Sequence, residues 1–299
     1  MTKRGSIVRS TLVKLLHRLN GSNRALTAVS SLATQVERID GITRELDEVA
    51  RGLALSQQIS ILLQHNECVD VLTNKSVAID SPDHFNPWGT ARDNSQNPLF
   101  NARLRAWIPT SKIRLLDLGC SGGGQVRSFL EQGCYAIGIE GSDYSRKRLR
   151  AEWQTIPEFL FTADITEPFN IVRLGTTQPC EPFSVITLWE VIEHIPREKL
   201  PAVFDNIARH LAPEGVVIMS VSPNSDVVNG VELHQTIEQR PWWSRTISAL
   251  GFQNHESIVE YFGNDLVRWH ENARDSFHFV LTRRSESPLY LGRFERIAR

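Results

Sequence analysis

The chain has 299 residues, of which 41% are hydrophobic and 22% charged, and these proportions are typical of a globular protein with a sizeable core. Its formal net charge of −1 provides no general attraction to nucleic acid or to other polyanions. The length predicts two domains, or one domain with a long extension. The four cysteines include no CxxC pair, which argues against a disulfide framework or zinc ribbon and favours reduced thiols in the cytoplasm.

Residues 1–20 contain five lysines or arginines and no acidic residue. The apolar residues between these charges predict an amphipathic helix that lies on an anionic membrane surface or docks on a protein. A signal peptide is not expected, because charges interrupt the apolar stretch and no small-residue cleavage site follows it. No run of about 18 apolar residues, the length of a membrane span, occurs in the sequence. We therefore expect a cytoplasmic protein, with peripheral contact to the inner membrane face through this segment.

Residues 26–58 have apolar positions at alternating spacings of three and four, the pattern of a heptad seam about three and a half repeats long. Gly41, Gly52 and the polar Thr43 weaken the seam. The pattern predicts a helix that self-associates, or a lone helix that packs on the rest of the chain. With the basic segment it completes a predicted helical extension over residues 1–75. The seam positions are Val29, Leu32, Val36, Ile39, Thr43, Leu46, Ala50 and Leu53.

Residues 76–111 begin with many turn-forming residues and three prolines up to residue 100, which predicts an irregular linker or lid. From residue 112 short apolar runs alternate with stretches long enough for helices. This alternation predicts an α/β domain over 112–299 with a doubly wound, Rossmann-like, seven-stranded and mostly parallel sheet. The predicted strands are 113–118, 135–139, 159–163, 183–189, 215–221, 257–262 and 276–283, with Gly251 ending the helix before the last two.

The stretch "LLDLGCSGGG", residues 115–124, has the form of a ligand-binding loop after a buried strand. A triphosphate loop requires a lysine after its last glycine, whereas Gln125 stands there. A dinucleotide fingerprint requires glycine at position 121, where Ser121 weakens that interpretation without removing it.

"DLGCSGG" resembles motif I of the class I S-adenosylmethionine-dependent methyltransferases. The resemblance implies that Asp117 faces the methionine ammonium of this cofactor. It also implies that the loop backbone at Gly119, Ser121 and Gly123 approaches the methionine and ribose.

Later motifs extend this resemblance over residues 112–283. Glu140 ends the second strand, 21 positions after Gly119, where an acid accepts both ribose hydroxyls of this cofactor and equally those of NAD. In the family, an acid at the place of Asp164 binds the adenine amino group. "FSVITLWEVIEHIP" and "LAPEGVVIMSVSPN" resemble the fourth- and fifth-strand motifs, and we expect Glu190 of the former to join the cofactor site.

Glu190, Glu193 and His194 lie at positions i, i+3 and i+4, so all three share one face if a helix begins here. Two carboxylates and an imidazole predict a site for a divalent metal such as Mg²⁺, which binds neighbouring hydroxyls and lowers the pKa of one. The spacing resembles the ExxEH of small-RNA 2′-O-methyltransferases and of some quinone O-methyltransferases, and His234 is a candidate fourth ligand. Alternatively, His194 is a general base, or a polar group that closes the pocket.

"ELHQTIEQRPWW" resembles a stretch in methyltransferases of sugar and surface-glycan pathways. It predicts that His234 and either Trp242 or Trp243 line the acceptor pocket, where an indole can stack on a sugar ring. The leading interpretation is an O-methyltransferase of a sugar, glycan or glycolipid, with His194, Glu193 and His234 as its catalytic residues.

Three other interpretations remain. An RNA ribose 2′-O-methyltransferase with a metal-assisted ExxEH site is one, although the sequence shows no basic stripe with interleaved aromatics. A non-catalytic coiled-coil scaffold whose body binds the cofactor without turnover is another. A dehydrogenase is the third, and binding of a nicotinamide cofactor would distinguish it.

Overall fold

The computed structural model of the chain describes residues 23–266 and 275–298. The described residues fall into two compact units, which divide between Gln57 and Gln58. The predicted amphipathic helix over 1–20 lies outside the described residues. Among the described helices, none combines the length and apolarity that a membrane span requires.

Along the chain, the described residues form one long α-helix, after which shorter helices and strands are interspersed. The α-helices are α1 (Asn23–His65), α2 (Pro82–Phe85), α3 (Pro98–Trp107), α4 (Gly124–Glu131), α5 (Tyr144–Lys147), α6 (Leu200–His210), α7 (Arg240–Ala249), α8 (Glu256–Phe262) and α9 (Leu291–Ile297). The strands are β1 (Val69–Thr73), β2 (Arg114–Leu118), β3 (Tyr135–Glu140), β4 (Leu160–Thr162), β5 (Phe169–Arg173), β6 (Phe183–Trp189), β7 (Leu211–Val221), β8 (Val227–Val228), β9 (Val231–Glu232), β10 (Phe252–Asn254) and β11 (Phe277–Arg283).

Helix α1 confirms the helix predicted over the heptad pattern. Leu32, Ile39, Leu46 and Leu53 of its seam are each more than half exposed, so no described residue of its own unit covers them. Pairing of this helix with another one stays a prediction.

The central sheet has seven strands in the order β10-β11-β7-β6-β2-β3-β4. The pairs among β7, β6, β2, β3 and β4 are parallel, whereas β11 runs antiparallel to β7 and β10 antiparallel to β11. Strands β3 and β6 are buried along their whole length, as expected for parallel strands covered on both faces. The predicted doubly wound, mostly parallel sheet is confirmed.

Of the last two predicted strands, 276–283 corresponds to β11, whereas the strand predicted over 257–262 is wrong. Residues 257–262 form helix α8, and the seventh strand is the three-residue β10 before it. Ile258 and Phe262 are buried four positions apart, which is the spacing of a helix face. A short apolar run of this kind does not by itself distinguish a strand from a buried helix.

The predicted helical extension and linker also differ from the structure. Strand β1, inside the predicted extension 1–75, pairs antiparallel with β5. Helix α3 lies inside the predicted linker 76–111, and the Asn97 side chain caps it by accepting from the amides of Leu99 and Phe100.

The segment that follows β1 contacts the end of β4, where the amide of Asp164 donates to the carbonyl of Lys75 at 2.9 Å. The segment between β1 and α3 therefore lies beside the ends of the central strands. The domain limits 76 and 112 stay predictions.

Candidate functional site

A cavity of about 500 Å³ lies at the carboxyl ends of β2, β3, β4 and β6, a volume typical of small-molecule sites. In a doubly wound sheet this is the edge where ligands bind. Six of the residues predicted for the site line the cavity, namely Gly119, Ser121, Glu140, Asp164, Glu190 and His194. Asp117, Gly123, Glu193 and His234 are not part of the lining.

The glycine loop forms the floor of the cavity after β2. Gly119 has a φ of +78°, and a Cβ at this position would lie 2.3 Å from Val191 Cγ2. Ser121 donates its amide to Glu140 Oε2 at 2.8 Å, which ties the loop to the end of β3. Gly123, with a φ of +87°, begins α4, where a Cβ would collide with Leu160. Both glycines are therefore required by the packing of the turn, and Gly119 also lines the cavity.

The Glu140 carboxylate is held in place by backbone amides. Ser121 donates to one oxygen at 2.8 Å, and Ser142 donates to the other at 3.0 Å. Burial raises the pKa of Glu140. A carboxylate that is buried and fixed in this way is a strong acceptor for ligand hydroxyl groups, which fits the predicted ribose contact.

Asp117 lies within β2 and is 3% exposed. Its Oδ1 accepts a hydrogen bond of 2.6 Å from the Thr187 hydroxyl on β6. The structure therefore places this carboxylate between two strands, below the cavity lining. Its predicted contact with the methionine ammonium stays a prediction.

Asp164 already has partners on both carboxylate oxygens. Thr166 donates to Oδ1 through its amide and hydroxyl, at 2.9 and 2.7 Å. The Lys75 ammonium lies 3.0 Å from Oδ2 and also pairs with Asp80 at 2.9 Å. Burial would raise the pKa of Asp164, but these hydrogen bonds and the lysine charge hold it below its ordinary value. An adenine amino group must share this carboxylate with Lys75 or displace it.

The expectation that a helix begins at Glu190 is wrong. Glu190 has a φ of +54°, in the left-handed region, which a right-handed helix does not contain. Its amide donates to the Ser220 hydroxyl at 2.9 Å. Only a single 3₁₀ turn follows, over Ile192–His194. The three ExxEH side chains consequently do not share a helix face.

Glu193 is fully buried behind the cavity wall. Its Oε1 accepts the amide of Ser222 at 2.8 Å, while Oε2 has no hydrogen-bond partner. Burial, together with the negative charge of Glu190, raises the pKa of Glu193 to about 8. This carboxyl group acts on the site through its neighbours and does not face the cavity.

His194 lies at the cavity wall with 20% of its side chain exposed. Its Nδ1 is 2.9 Å from Asp83 Oδ2, on α2 of the segment after β1. Burial lowers the pKa of an imidazole, but the hydrogen bond and charge of Asp83 outweigh this effect and raise the pKa of His194 to about 9. The His234 ring packs edge-on against His194, with 4.6 Å between centroids.

His234 is held by the backbone around it. Its Nδ1 lies 2.5 Å from the Asn224 carbonyl. The amides of Gln235 and Thr236 both donate to the Glu193 carbonyl, at 2.8 and 2.9 Å. Burial, with the charge of His194 added, lowers the pKa of His234. The structure thus brings the two predicted histidines together.

The predicted tryptophan wall is not formed. Trp243 is fully buried and Trp242 packs against the Arg197 guanidinium, 5.1 Å from the ring centroid. Neither indole lines the cavity. Their positions on α7 explain this, since the helix turns its apolar face to the core.

The predicted metal set does not converge. Glu190 accepts from the Ser276 hydroxyl, Glu193 from the Ser222 amide, and His194 pairs with Asp83. Over residues 23–266 and 275–298, no three His, Cys, Asp or Glu side chains group as ligands for one metal ion.

Lys75 and Asp83 are functional candidates that the sequence reasoning missed. Both line the cavity, as do Thr90 and Asp93 from the same segment. The turn-forming composition predicted a lid here but named no polar contact. Lys75 pairs with Asp164 and Asp83 with His194. These partners are distant along the chain, so the local sequence pattern alone does not reveal the contacts.

A family model described as a methyltransferase domain matches residues 91–271. The chain belongs to this family. It is an S-adenosylmethionine-dependent methyltransferase of class I, and S-adenosylmethionine is its cofactor. The sequence has no match among curated proteins.

Solved structures resemble the methyltransferase at low identity. An amino pentose methyltransferase from Micromonospora echinaspora, bound to S-adenosylmethionine, is 17% identical, with a TM-score of 0.41 over 67% of this chain and 95% of the other. The 1,6-didemethyltoxoflavin-N1-methyltransferase of Burkholderia thailandensis is 14% identical, with a TM-score of 0.48 over 69% of this chain and 84% of the other. Such scores indicate distant resemblance only.

The residues present fit this cofactor. Gly119 lines the cavity without a side chain, so a ligand meets its backbone there, and Glu140 presents a fixed acceptor in the same lining. Glu190 adds a buried carboxylate oxygen, Oε1, that has no hydrogen-bond partner among the described residues. Buried acceptors without partners are costly unless a ligand donates to them. The methionine ammonium and the ribose hydroxyls are donors of the required kind.

Replacement of Gly119 by alanine should weaken both the fold and cofactor binding. The φ of +78° costs an L-residue about 1 kcal/mol, and the clash with Val191 should cost about 1–3 kcal/mol more. Gly175→Ala is a matched control, because Gly175 has a φ of +73° and nothing within 4 Å of its Cβ position. Urea unfolding and calorimetric titration with S-adenosylmethionine measure both effects. Equal losses in the two variants would contradict the steric role of Gly119.

Proposed function

We propose that this methyltransferase transfers a methyl group to a hydroxyl group of a sugar, glycan or glycolipid acceptor, and that His194 accepts the hydroxyl proton. The Asp83–His194 pair at the cavity wall is the observation that carries this proposal. It has the arrangement of a base whose orientation is set by a carboxylate.

The bound cofactor supplies a methyl group on a positively charged sulfur, so the protein need not activate a leaving group. The protein must align the acceptor oxygen and remove its proton. His194 Nδ1 is bonded to Asp83, so Nε2 is the atom that accepts the proton as the oxygen–methyl bond forms. This requires the neutral imidazole, whose fraction grows as the pH approaches about 9, the pKa of His194. The Asp83 carboxylate then stabilises the imidazolium. Glu193 and His234 support His194 from behind and from the side.

The charges of the cavity favour an acceptor without phosphate groups. Among the described lining residues, the lysine and arginine side chains are Lys75 and Lys199. Lys75 is paired with Asp80 and Asp164, and Lys199 lies 3.1 Å from Glu167. Phosphate recognition usually employs cations that are not already neutralised. This supports a sugar acceptor over an RNA ribose.

Transfer of labelled methyl from S-adenosylmethionine into an extract of the source cells tests the function. Products are digested with glycosidase or ribonuclease, and each reaction is repeated with a chelator. We expect label in a glycan or lipid fraction and none with the His194→Asn variant. Label released by ribonuclease would instead establish the RNA interpretation, and absence of label with the intact protein would favour the scaffold. Loss of label on chelation would establish the metal hypothesis.

We also propose that the protein is cytoplasmic and that residues 1–20 contact an anionic membrane. Their five cationic side chains and lack of acids support this proposal. Cosedimentation with vesicles containing anionic lipid should decrease when residues 1–20 are removed, whereas neutral vesicles should bind neither form. Equal binding of both forms to anionic vesicles would contradict it.

A further inference from the structure

Helix α1 exposes large apolar side chains along one stripe. Exposed fractions along it are 53% for Leu32, 60% for Ile39, 48% for Ile42, 63% for Leu46, 59% for Val49 and 68% for Leu53. A helix gains most of its stability from packing an apolar face, and none of the described residues of its own compact unit, from residue 23 on, covers this face. The stripe therefore points to a partner surface.

The stripe has the period of a coiled coil. Leu32, Ile39, Leu46 and Leu53 are seven residues apart and occupy one core position of the heptad, position d. The other core position, a, is occupied by Val29, Val36, Thr43 and Ala50. Three of the four a positions are β-branched and three of the four d positions are leucine, the pattern that favours two strands over three or four in a parallel coiled coil.

The residues that weaken the pattern are compatible with such pairing. Gly41 and Gly52 lie at the outer positions f and c, away from the seam. The Thr43 hydroxyl, which does lie on the seam, donates to the Ile39 carbonyl of its own helix at 2.9 Å. Its polar group is thus satisfied before any partner covers it.

We propose that a second copy of this chain covers the stripe, with the two α1 helices parallel and in register. Charge decides the orientation. Asp40 and Asp47 occupy position e, and Ile42 and Val49 occupy position g. An antiparallel pair sets e against e′ and places Asp40 opposite Asp47 of the partner, twice. A parallel pair sets each e position against the g′ position five residues before it. Asp40 then faces Gln35, Asp47 faces Ile42, and no carboxylates face each other.

Single cysteines test the orientation in the full-length chain. The background carries Cys68→Ser and Cys180→Ser, because Cys120 and Cys134 are buried. In this background Leu32→Cys and Leu53→Cys should each form a disulfide-linked dimer under mild oxidation, since equivalent d positions face each other in a parallel coil. Thr34→Cys, on the outer face, is the control and should remain uncrosslinked.

An antiparallel pair would give the opposite result. Neither Leu32→Cys nor Leu53→Cys would crosslink alone, and a mixture of the two would. That pattern would overturn the parallel arrangement.

Disruption of the stripe tests the dimer itself. The mass in solution, measured by sedimentation equilibrium, should be twice the chain mass of 33.9 kDa. Ile39→Asp combined with Leu46→Asp should reduce it to one chain, whereas Ser31→Asp combined with Thr34→Asp, on the outer face, should leave the dimer intact. Unchanged S-adenosylmethionine affinity would show that the catalytic body still folds. A monomeric wild-type chain would overturn the proposal, as would a trimer or tetramer.

Discussion

Replacement of Glu140 by glutamine is expected to raise the dissociation constant for S-adenosylmethionine at least about tenfold, because a charged hydrogen bond contributes roughly 1.5–3 kcal/mol. The amides of Ser121 and Ser142 each donate to one Glu140 oxygen, so the carboxylate geometry is fixed before the ribose arrives. A glutamine must also turn its NH₂ group towards one of these amides, where two donors repel each other.

Isothermal titration calorimetry of S-adenosylmethionine measures this loss without an acceptor. Glu158→Gln is the control, since Glu158 is exposed and lies outside the cavity lining. We expect the control to retain the wild-type affinity. Equal affinities of the wild type and Glu140→Gln would refute the assignment of Glu140 to the ribose.

Replacement of Asp83 by asparagine should lower the pKa of His194 by about 1–3 units, the usual effect of an adjacent carboxylate. In the intact protein Asp83 raises that pKa to about 9. Without the carboxylate, burial dominates and disfavours the imidazolium. Nuclear magnetic resonance titration of the histidine side chains follows His194 directly and requires no acceptor.

Asp80→Asn serves as the control for this titration, because Asp80 pairs with Lys75 and not with His194. The His194 resonance should then still titrate near 9. If it also titrated near 9 in Asp83→Asn, the pair would not control the proton of His194.

The same pair makes stability depend on pH in a defined direction. The pKa of His194 rises from an ordinary value of 6.5 to about 9 on folding, so the folded chain binds this proton more tightly. The stabilisation is complete below pH 6.5 and is lost as the pH rises through about 9. Asp83→Asn should remove most of that dependence, which urea unfolding at several pH values measures.

The sheet was predictable from sequence because each central strand is a short apolar run between polar stretches. Strand β6 has the predicted bounds, and β2, β3 and β4 differ by a residue or so. The failures arose where neighbours along the chain do not decide the structure. Residues 257–262 bury one side only and are helical.

The candidate site was predictable where a motif places its residues at the carboxyl end of a strand, as for Gly119 and Ser121 after β2 and Glu140 at the end of β3. The ExxEH residues do not share a helix face, because Glu190 adopts a left-handed φ of +54° and only a single 3₁₀ turn follows it. Asp83 reaches His194 across 111 positions of sequence. Such a contact depends on the β1–β5 pairing, which local periodicity does not encode.

The β1–β5 pairing has a consequence for what counts as the minimal enzyme. Similarity to the family begins at residue 91, yet Lys75 and Asp83, which contact Asp164 and His194, precede it. A chain shortened to the recognisable domain would keep the glycine loop but would lose one wall of its own cavity. The residues that line the cavity thus begin at Lys75, before the start of the family match at residue 91. Selection for a new acceptor can act on the stretch before residue 91 while the shared cofactor machinery stays unchanged.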